Sequence, residues 1–248
     1  MSMAPTQDEL AIFNDITRLG ESLWAESLKI SGLNTDPKMF SIMLYKRLWS
    51  NHRGFALLWN NSLPLEADIV LRAGIEAAIC IAACFKLGDG FLTLMRQDAA
   101  HTVMGQIKVH RANDETDLVR DGEATLRDLT AKLPEGTRPV RLNWQSLARD
   151  GGAPQLYDWH RMLSGVSSHV TGLSVLRGVV SDGSNSTELQ SELRGLTHKM
   201  HLMMMAGATL QGSMIHAGMI DNLAHVEAAL ALTKRMDSLS MLWPGVAE

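Results

Sequence analysis

Three charged residues stand at four-residue spacing in an otherwise apolar stretch: Asp68, Arg72 and Glu76. In a helix they lie along one face, so the Arg72 guanidinium can reach both carboxylates. Charges in apolar surroundings must be paired, because burying an unpaired charge is costly. Two interpretations remain open: Arg72 and Glu76 form a structural ion pair beside an exposed Asp68 near the helix start, or the pair forms the floor of a polar pocket.

A second stretch, residues 157–169, is rich in hydroxyl groups and also holds Arg161 and two histidines. Ser164 and His169 are the residue types of a nucleophile and its base, but no Gly-x-Ser-x-Gly turn accompanies them. A nucleophilic Ser164 is therefore disfavoured. His169 is interpreted as a buried hydrogen-bonding residue, with a ligand-binding or acid–base role as the alternative. The candidate catalytic residues are Arg72, Glu76, Ser164 and His169.

Signatures of metal and nucleotide sites are absent from the sequence. Cys80 and Cys84 are four residues apart without nearby histidine partners, and small buried cysteines are common packing residues. His198 and His201 lie one helical turn apart. We interpret them as part of an exposed turn and not as ligands of a shared metal ion. No Glu-x-x-His, Gly-x-Gly-x-x-Gly or P-loop pattern occurs. We therefore expect neither a metal nor a cofactor.

The segment Leu71-Arg72-Ala73-Gly74-Ile75-Glu76, followed by aromatics and then Leu163-Ser164 and His169, resembles the bacterial family called domain of unknown function 5677. The resemblance spans about residues 35–180. It implies an all-helical fold and the importance of Arg72, Glu76, Ser164 and His169. His160 occupies the position where that family carries a tyrosine. The family has no assigned activity, so the resemblance implies no reaction.

A distant analogy links the chain to the HEPN group of helical bundles, several of which are ribonucleases with an Arg-x(4–6)-His motif. The chain holds 15 arginines and nine histidines, so a few matches arise by chance and are not evidence. The net charge of −4 also disfavours binding to RNA phosphates. A metal-independent ribonuclease would use His169 as base and Arg161 or Arg72 on the phosphate. The three matches are Arg47 with His52, Arg96 with His101, and Arg194 with His201.

The elements that carry these residues are predicted to be helices. Fifteen methionines stand against two tyrosines and five phenylalanines, and no segment alternates with period two. We predict an all-α, single-domain bundle of about seven to nine helices over residues 1–248. Helices are expected at about 7–30, 38–60, 64–87, 91–111, 144–149, 155–165, 187–220 and 222–239, with a solvated amphipathic hairpin at 113–132.

Two of these helices are predicted to be central. Residues 64–87 are apolar nearly all round, and residues 200–219 hold six of the fifteen methionines. The Met-rich helix is interpreted as core packing, with a homodimer seam or an apolar ligand groove as alternatives. Residues 202–220 are uncharged, but Gln211 and His216 favour a buried helix over a membrane span.

The class of protein follows from charge and cysteine content. The sequence pI is near 6.1, the two cysteines are not placed for a disulfide, and the N-terminus lacks a signal peptide. We expect a cytosolic bacterial protein that binds neither nucleic acid nor membrane. Its function is predicted to be a binding or regulatory pocket for a small ligand, formed by the Arg, Glu, Ser and His cluster. The alternatives are the ribonuclease and a non-catalytic homodimer joined through the Met-rich helix.

Overall fold

The computed structural model describes residues 4–32, 36–165 and 186–240, with side chains from residue 196 to 239 in the last range. These residues form nine helices and no strand, which confirms the all-α prediction of seven to nine helices. The helices are α1 (Gln7–Ser27), α2 (Pro37–Asn60), α3 (Pro64–Leu87), α4 (Asp89–Ala112), α5 (Thr116–Thr130), α6 (Trp144–Asp150), α7 (Pro154–Ser164), α8 (Ser186–Met219) and α9 (Leu223–Ser240).

Local capping chemistry sets most helix starts. The Thr6 hydroxyl accepts from Glu9 N at 3.2 Å while the Glu9 carboxylate accepts from Thr6 N at 2.8 Å, the reciprocal capping box expected from sequence. Asp36 caps α2, with Pro37 in its first turn. α1 ends at Ser27 and not near Ile30, because the following backbone forms i to i+3 turns.

α3 is the central helix. It packs against α2, α4, α6, α7 and α8, and thirteen of its residues are buried. Ile75, Ile79 and Ile81 are fully buried, while Ile69 and Phe85 near its two ends remain about half exposed. Because neighbours surround most of α3, the polar residues on it are held in fixed positions.

α8 is the second core helix, and its methionines are used inside the chain. Met203, Met204 and Met205 are at most 2% exposed, and α8 packs against α1, α2, α3 and α9. A Cβ atom on Gly212 would press on the Cδ2 atom of Leu48, so a larger residue here would force the Leu48 side chain to shift. The core interpretation of the Met-rich segment therefore accounts for these methionines.

The α4–α5 hairpin lies to one side of the bundle. α5 packs mainly on α4 and has no buried residue, in agreement with the solvated hairpin expected over 113–132. None of the helices in the described ranges has the length and hydropathy that crossing a membrane requires.

Candidate functional site

Three polar side chains meet between α3 and α7. The Glu76 Oε1 atom lies 3.1 Å from His160 Nε2 and 3.3 Å from Arg72 Nε, and the two nitrogens are 3.4 Å apart. His160 is only 6% exposed, whereas the Arg72 and Glu76 side chains are 18% and 24% exposed. One carboxylate oxygen is thus shared by an imidazole and a guanidinium.

Nε2 of His160 faces two partners, the Glu76 carboxylate at 3.1 Å and the Nε–H of Arg72 at 3.4 Å, and the shorter contact to the carboxylate favours the tautomer with hydrogen on Nε2. A carboxylate only accepts hydrogen bonds, so in a neutral ring the hydrogen sits on Nε2 and is donated to Glu76. Nδ1 then carries a lone pair. It is buried and has no hydrogen-bond partner among the described residues. A buried acceptor without a donor costs about 1–3 kcal/mol.

The corner between α6 and α7 positions His160. A Cβ on Gly151 would lie 2.8 Å from Ala83 N, so the backbone of this corner rests directly on the backbone of α3. Gly152 has φ +74°, a left-handed conformation that glycine adopts readily. α7 then starts with Pro154 in its first turn and brings His160 over Glu76.

A cavity of about 370 Å³ adjoins this cluster through Trp144. The Trp144 ring lines the cavity, and its centroid lies 5.5 Å from that of His160. Tyr157 flanks the same imidazole at 6.0 Å. Trp144 is therefore the residue that links the cavity to the cluster, since neither Tyr157 nor the three polar residues line the cavity. Its lining residues are Asp98, His101, Thr102, Gly105, Arg141, Leu142 and Trp144.

The coil before α6 is fastened to α4 by side chains. Gln97 Nε2 donates to Arg138 O at 2.9 Å, and Asp98 Oδ1 accepts from Leu142 N at 2.8 Å. Asn143 then caps α6 by accepting from Ser146 N, which fixes where Trp144 begins the helix. The cavity walls are thus built from anchored segments.

Of the four predicted site residues, the structure brings Arg72 and Glu76 together. The half-buried Ser164 lies one turn after His160 and donates to the His160 carbonyl at 2.7 Å. His169 lies outside the described residues, so its place in the pocket stays a prediction. Arg161 is exposed on α7. The residue that sequence reasoning missed as the centre of this site is His160.

Asp68 differs from its expected exposure. It is 2% exposed, and its Oδ1 lies 2.5 Å from Nδ1 of His201 on α8. α8 passes over the start of α3 and covers the carboxylate there, so the expected exposed turn at His198 and His201 is also wrong for His201. In the described part of the chain, no three His, Cys, Asp or Glu side chains are grouped to hold a metal ion.

Two further histidines are buried where α1, α2 and α8 meet. His52 contacts Thr17 through Nε2 at 2.8 Å and Thr209 through Nδ1 at 2.9 Å. His216 contacts Ser27 and Ser41 in the same way, both at 2.9 Å. Burial lowers the pKa of His52 to about 4 and that of His216 to about 3. These imidazoles are neutral links between helices.

The two cysteines are also structural. Cys80 and Cys84 are free and buried, and burial raises the pKa of each thiol to about 12. A thiol in that state is a poor nucleophile and a poor metal ligand, since both roles need the thiolate.

No protein-family model, curated protein or solved structure matches this chain. The resemblance to the family called domain of unknown function 5677 therefore stays a prediction, and the function is argued from the site alone.

Proposed function

We propose that the protein binds a small polar molecule in the cavity beside Trp144, with the Arg72, Glu76 and His160 cluster beneath it. The observation that carries this proposal is the unpartnered Nδ1 of His160, on a side chain that is 94% buried. His160 itself does not line the cavity; its ring centroid lies 5.5 Å from that of Trp144, which does. The proposal therefore requires the Trp144 side chain to turn aside, so that an N–H or O–H group of the ligand reaches this nitrogen and supplies the hydrogen bond that it lacks.

The cluster is held in position, as a binding site requires. Glu76 orients the imidazole through Nε2, and Arg72 in turn holds the same carboxylate oxygen through its Nε. Arg72 approaches both Glu76 and His160 through its Nε atom. The two terminal nitrogens of its guanidinium therefore stay available as donors. The arrangement offers an acceptor at His160 and donors at Arg72 within one small region.

The indole N–H signal of Trp144 tests the proposal. Protein labelled with ¹⁵N at tryptophan is titrated with a fragment library of acids, amines and neutral amides, and the Trp144 signal is assigned with Trp144→Phe. We expect fragments that shift the Trp144 signal and leave that of Trp24, on α1, unchanged. A library that moves neither signal at millimolar concentration contradicts the proposal.

His160→Gln separates the role of the free nitrogen from that of the ion pair. A glutamine amide keeps a donor for Glu76 but has no lone pair at the Nδ1 position. Fragments carrying a donor group should lose affinity for this variant, whereas those without one should bind as before. Equal affinity of both kinds for the variant and the wild type means that Nδ1 takes no part.

A second candidate, the ribonuclease, is favoured by one observation. Of the three Arg-x(4–6)-His matches, His52 and His201 are buried in structural hydrogen bonds, but His101 lines the cavity with Arg141. Incubation with total RNA tests it. His101→Ala and His169→Ala should each reduce cleavage while His110→Ala does not; no cleavage by the wild type removes this candidate.

A further inference from the structure

We infer that the ligand of this cavity is a planar organic anion, with its ring against Trp144 and its acid group on Arg141 and His101. The inference rests on the proposed function and names the class of ligand. It depends on the charge of the cavity walls, on the shape of its aromatic side and on which polar groups are already occupied.

The lining holds one basic and one acidic side chain, Arg141 and Asp98, together with His101. Arg141 has no ion-pair partner among the described residues. A guanidinium with free donors binds a carboxylate or phosphate group well.

Asp98 is the one acidic residue in the lining, and it is already engaged. Its Oδ1 accepts the backbone N–H of Leu142 at 2.8 Å, a bond that fastens the cavity wall. It therefore serves the wall, while Arg141, His101 and Thr102 supply the remaining polar groups. All three side chains carry N–H or O–H groups that can donate to an anion.

The shape of the cavity favours a flat group. Trp144 presents a large ring at the wall, and aromatic rings pack well on one another in offset or tilted arrangements. Gly105, also in the lining, leaves room, since a Cβ there would meet nothing within 4 Å. The volume of about 370 Å³ falls in the range that small-molecule sites occupy.

Binding of two ligands of equal shape and different charge tests the inference. Naphthalene-2-carboxylate, the neutral naphthalene-2-carboxamide and inorganic phosphate are each titrated into the full chain, and the Trp144 indole signal is followed by NMR. We expect the carboxylate to bind about tenfold or more tightly than the carboxamide, because a charge-assisted bond is about twice as strong as a neutral one. Phosphate, which has no ring, should bind more weakly than the carboxylate.

Two arginine variants locate the acid group. Arg141→Gln should remove the preference for the carboxylate, whereas Arg138→Gln, which changes an exposed arginine on the same segment, should keep it. Equal binding of carboxylate and carboxamide, equal binding of phosphate, or an unchanged preference in Arg141→Gln overturns the inference of a planar anion. The proposed function survives those outcomes; it fails if neither naphthalene compound nor any library fragment moves the Trp144 signal.

Discussion

At the scale of single residues, His52 and His216 make the free energy of unfolding depend on pH. Both rings are buried, and the hydroxyl groups of Thr17 and Thr209 or of Ser27 and Ser41 hold them. Burial lowers the pKa of His52 to about 4 and of His216 to about 3. An unfolded histidine takes up its proton from about pH 6.5 downward, so between these values the unfolded chain binds more protons.

The first prediction is that stability is constant above about pH 6.5 and falls as the pH decreases toward the folded pKa values. Together the two histidines should lower the free energy of unfolding by about 2–3 kcal/mol between pH 6.5 and pH 5. Urea denaturation across this range measures it. His216→Gln should reduce the dependence, and His101→Gln, at an exposed position, should leave it unchanged. The same slope in all three proteins would falsify the assignment.

The second prediction concerns His160 as a structural link. His160→Ala removes the Glu76 partner and a buried ring between Trp144 and Tyr157, so it should cost about 2–4 kcal/mol of unfolding free energy. His160→Gln, which keeps a donor for Glu76, should cost at least about 1 kcal/mol less. Denaturant unfolding of the two variants compares them. Equal losses would mean that the contact with Glu76 contributes nothing.

The third prediction concerns Cys80 and Cys84. Their buried thiols, with each pKa raised to about 12, should react with a thiol reagent at pH 7.5 only as fast as the chain opens. Labelling followed by mass spectrometry, with and without urea, measures this. Rapid labelling of the native protein would show that the α3 core is accessible.

At the scale of elements, the α6–α7 corner determines where His160 lies. In the fourth prediction, Gly151→Ala destabilises the protein by about 1–3 kcal/mol, because its Cβ would press on the Ala83 backbone at 2.8 Å. Gly105→Ala is the matched control. Gly105 lies inside α4 with open space around it. Its replacement by alanine should therefore raise the free energy of unfolding by up to about 1 kcal/mol, because alanine has the higher helix propensity. Thermal unfolding decides between them, and a loss for Gly105→Ala equal to that for Gly151→Ala contradicts this account.

Element boundaries were the most predictable feature, for local physical reasons. The capping groups at Thr6, Asp36 and Asn143 act over three residues or fewer, and Pro64 marks the start of α3. The end of α1 was placed near Ile30 because the i to i+3 turns after Ser27 carry no residue that marks a helix end. α8 likewise covers Asp68 through a contact that spacing along α3 does not reveal.

At the scale of the whole molecule, the site combines a local pair with distant partners. The Arg72 and Glu76 pair follows from helical spacing, and it was predicted. His160 is 84 residues from Glu76, and Trp144 reaches it from another helix, so neither contact could be read from a period or a motif. The available signal was the aromatic stretch Tyr157-Asp158-Trp159-His160, which attracted attention to α7 but not to its histidine.

The overall charge gives an incomplete account of ligand preference. A net charge of −4 argued against binding to RNA, but folding brings α4 and the coil before α6 together into a cavity where Arg141 has no ion-pair partner among the described residues. The net charge of a chain sums charges that are far apart in the folded protein. At physiological salt, charges separated by more than about 8 Å are largely screened from each other. What a bound molecule meets is the local set of side chains.

The most direct test of the central claim is the ¹⁵N spectrum of the His160 ring, recorded at pH 8, where an unperturbed imidazole is neutral. The account predicts hydrogen on Nε2, a bare Nδ1 in the free protein, and a shift of the Nδ1 signal when a bound fragment donates to it. Hydrogen on Nδ1, or an Nδ1 signal that no Trp144-binding fragment moves, would contradict it.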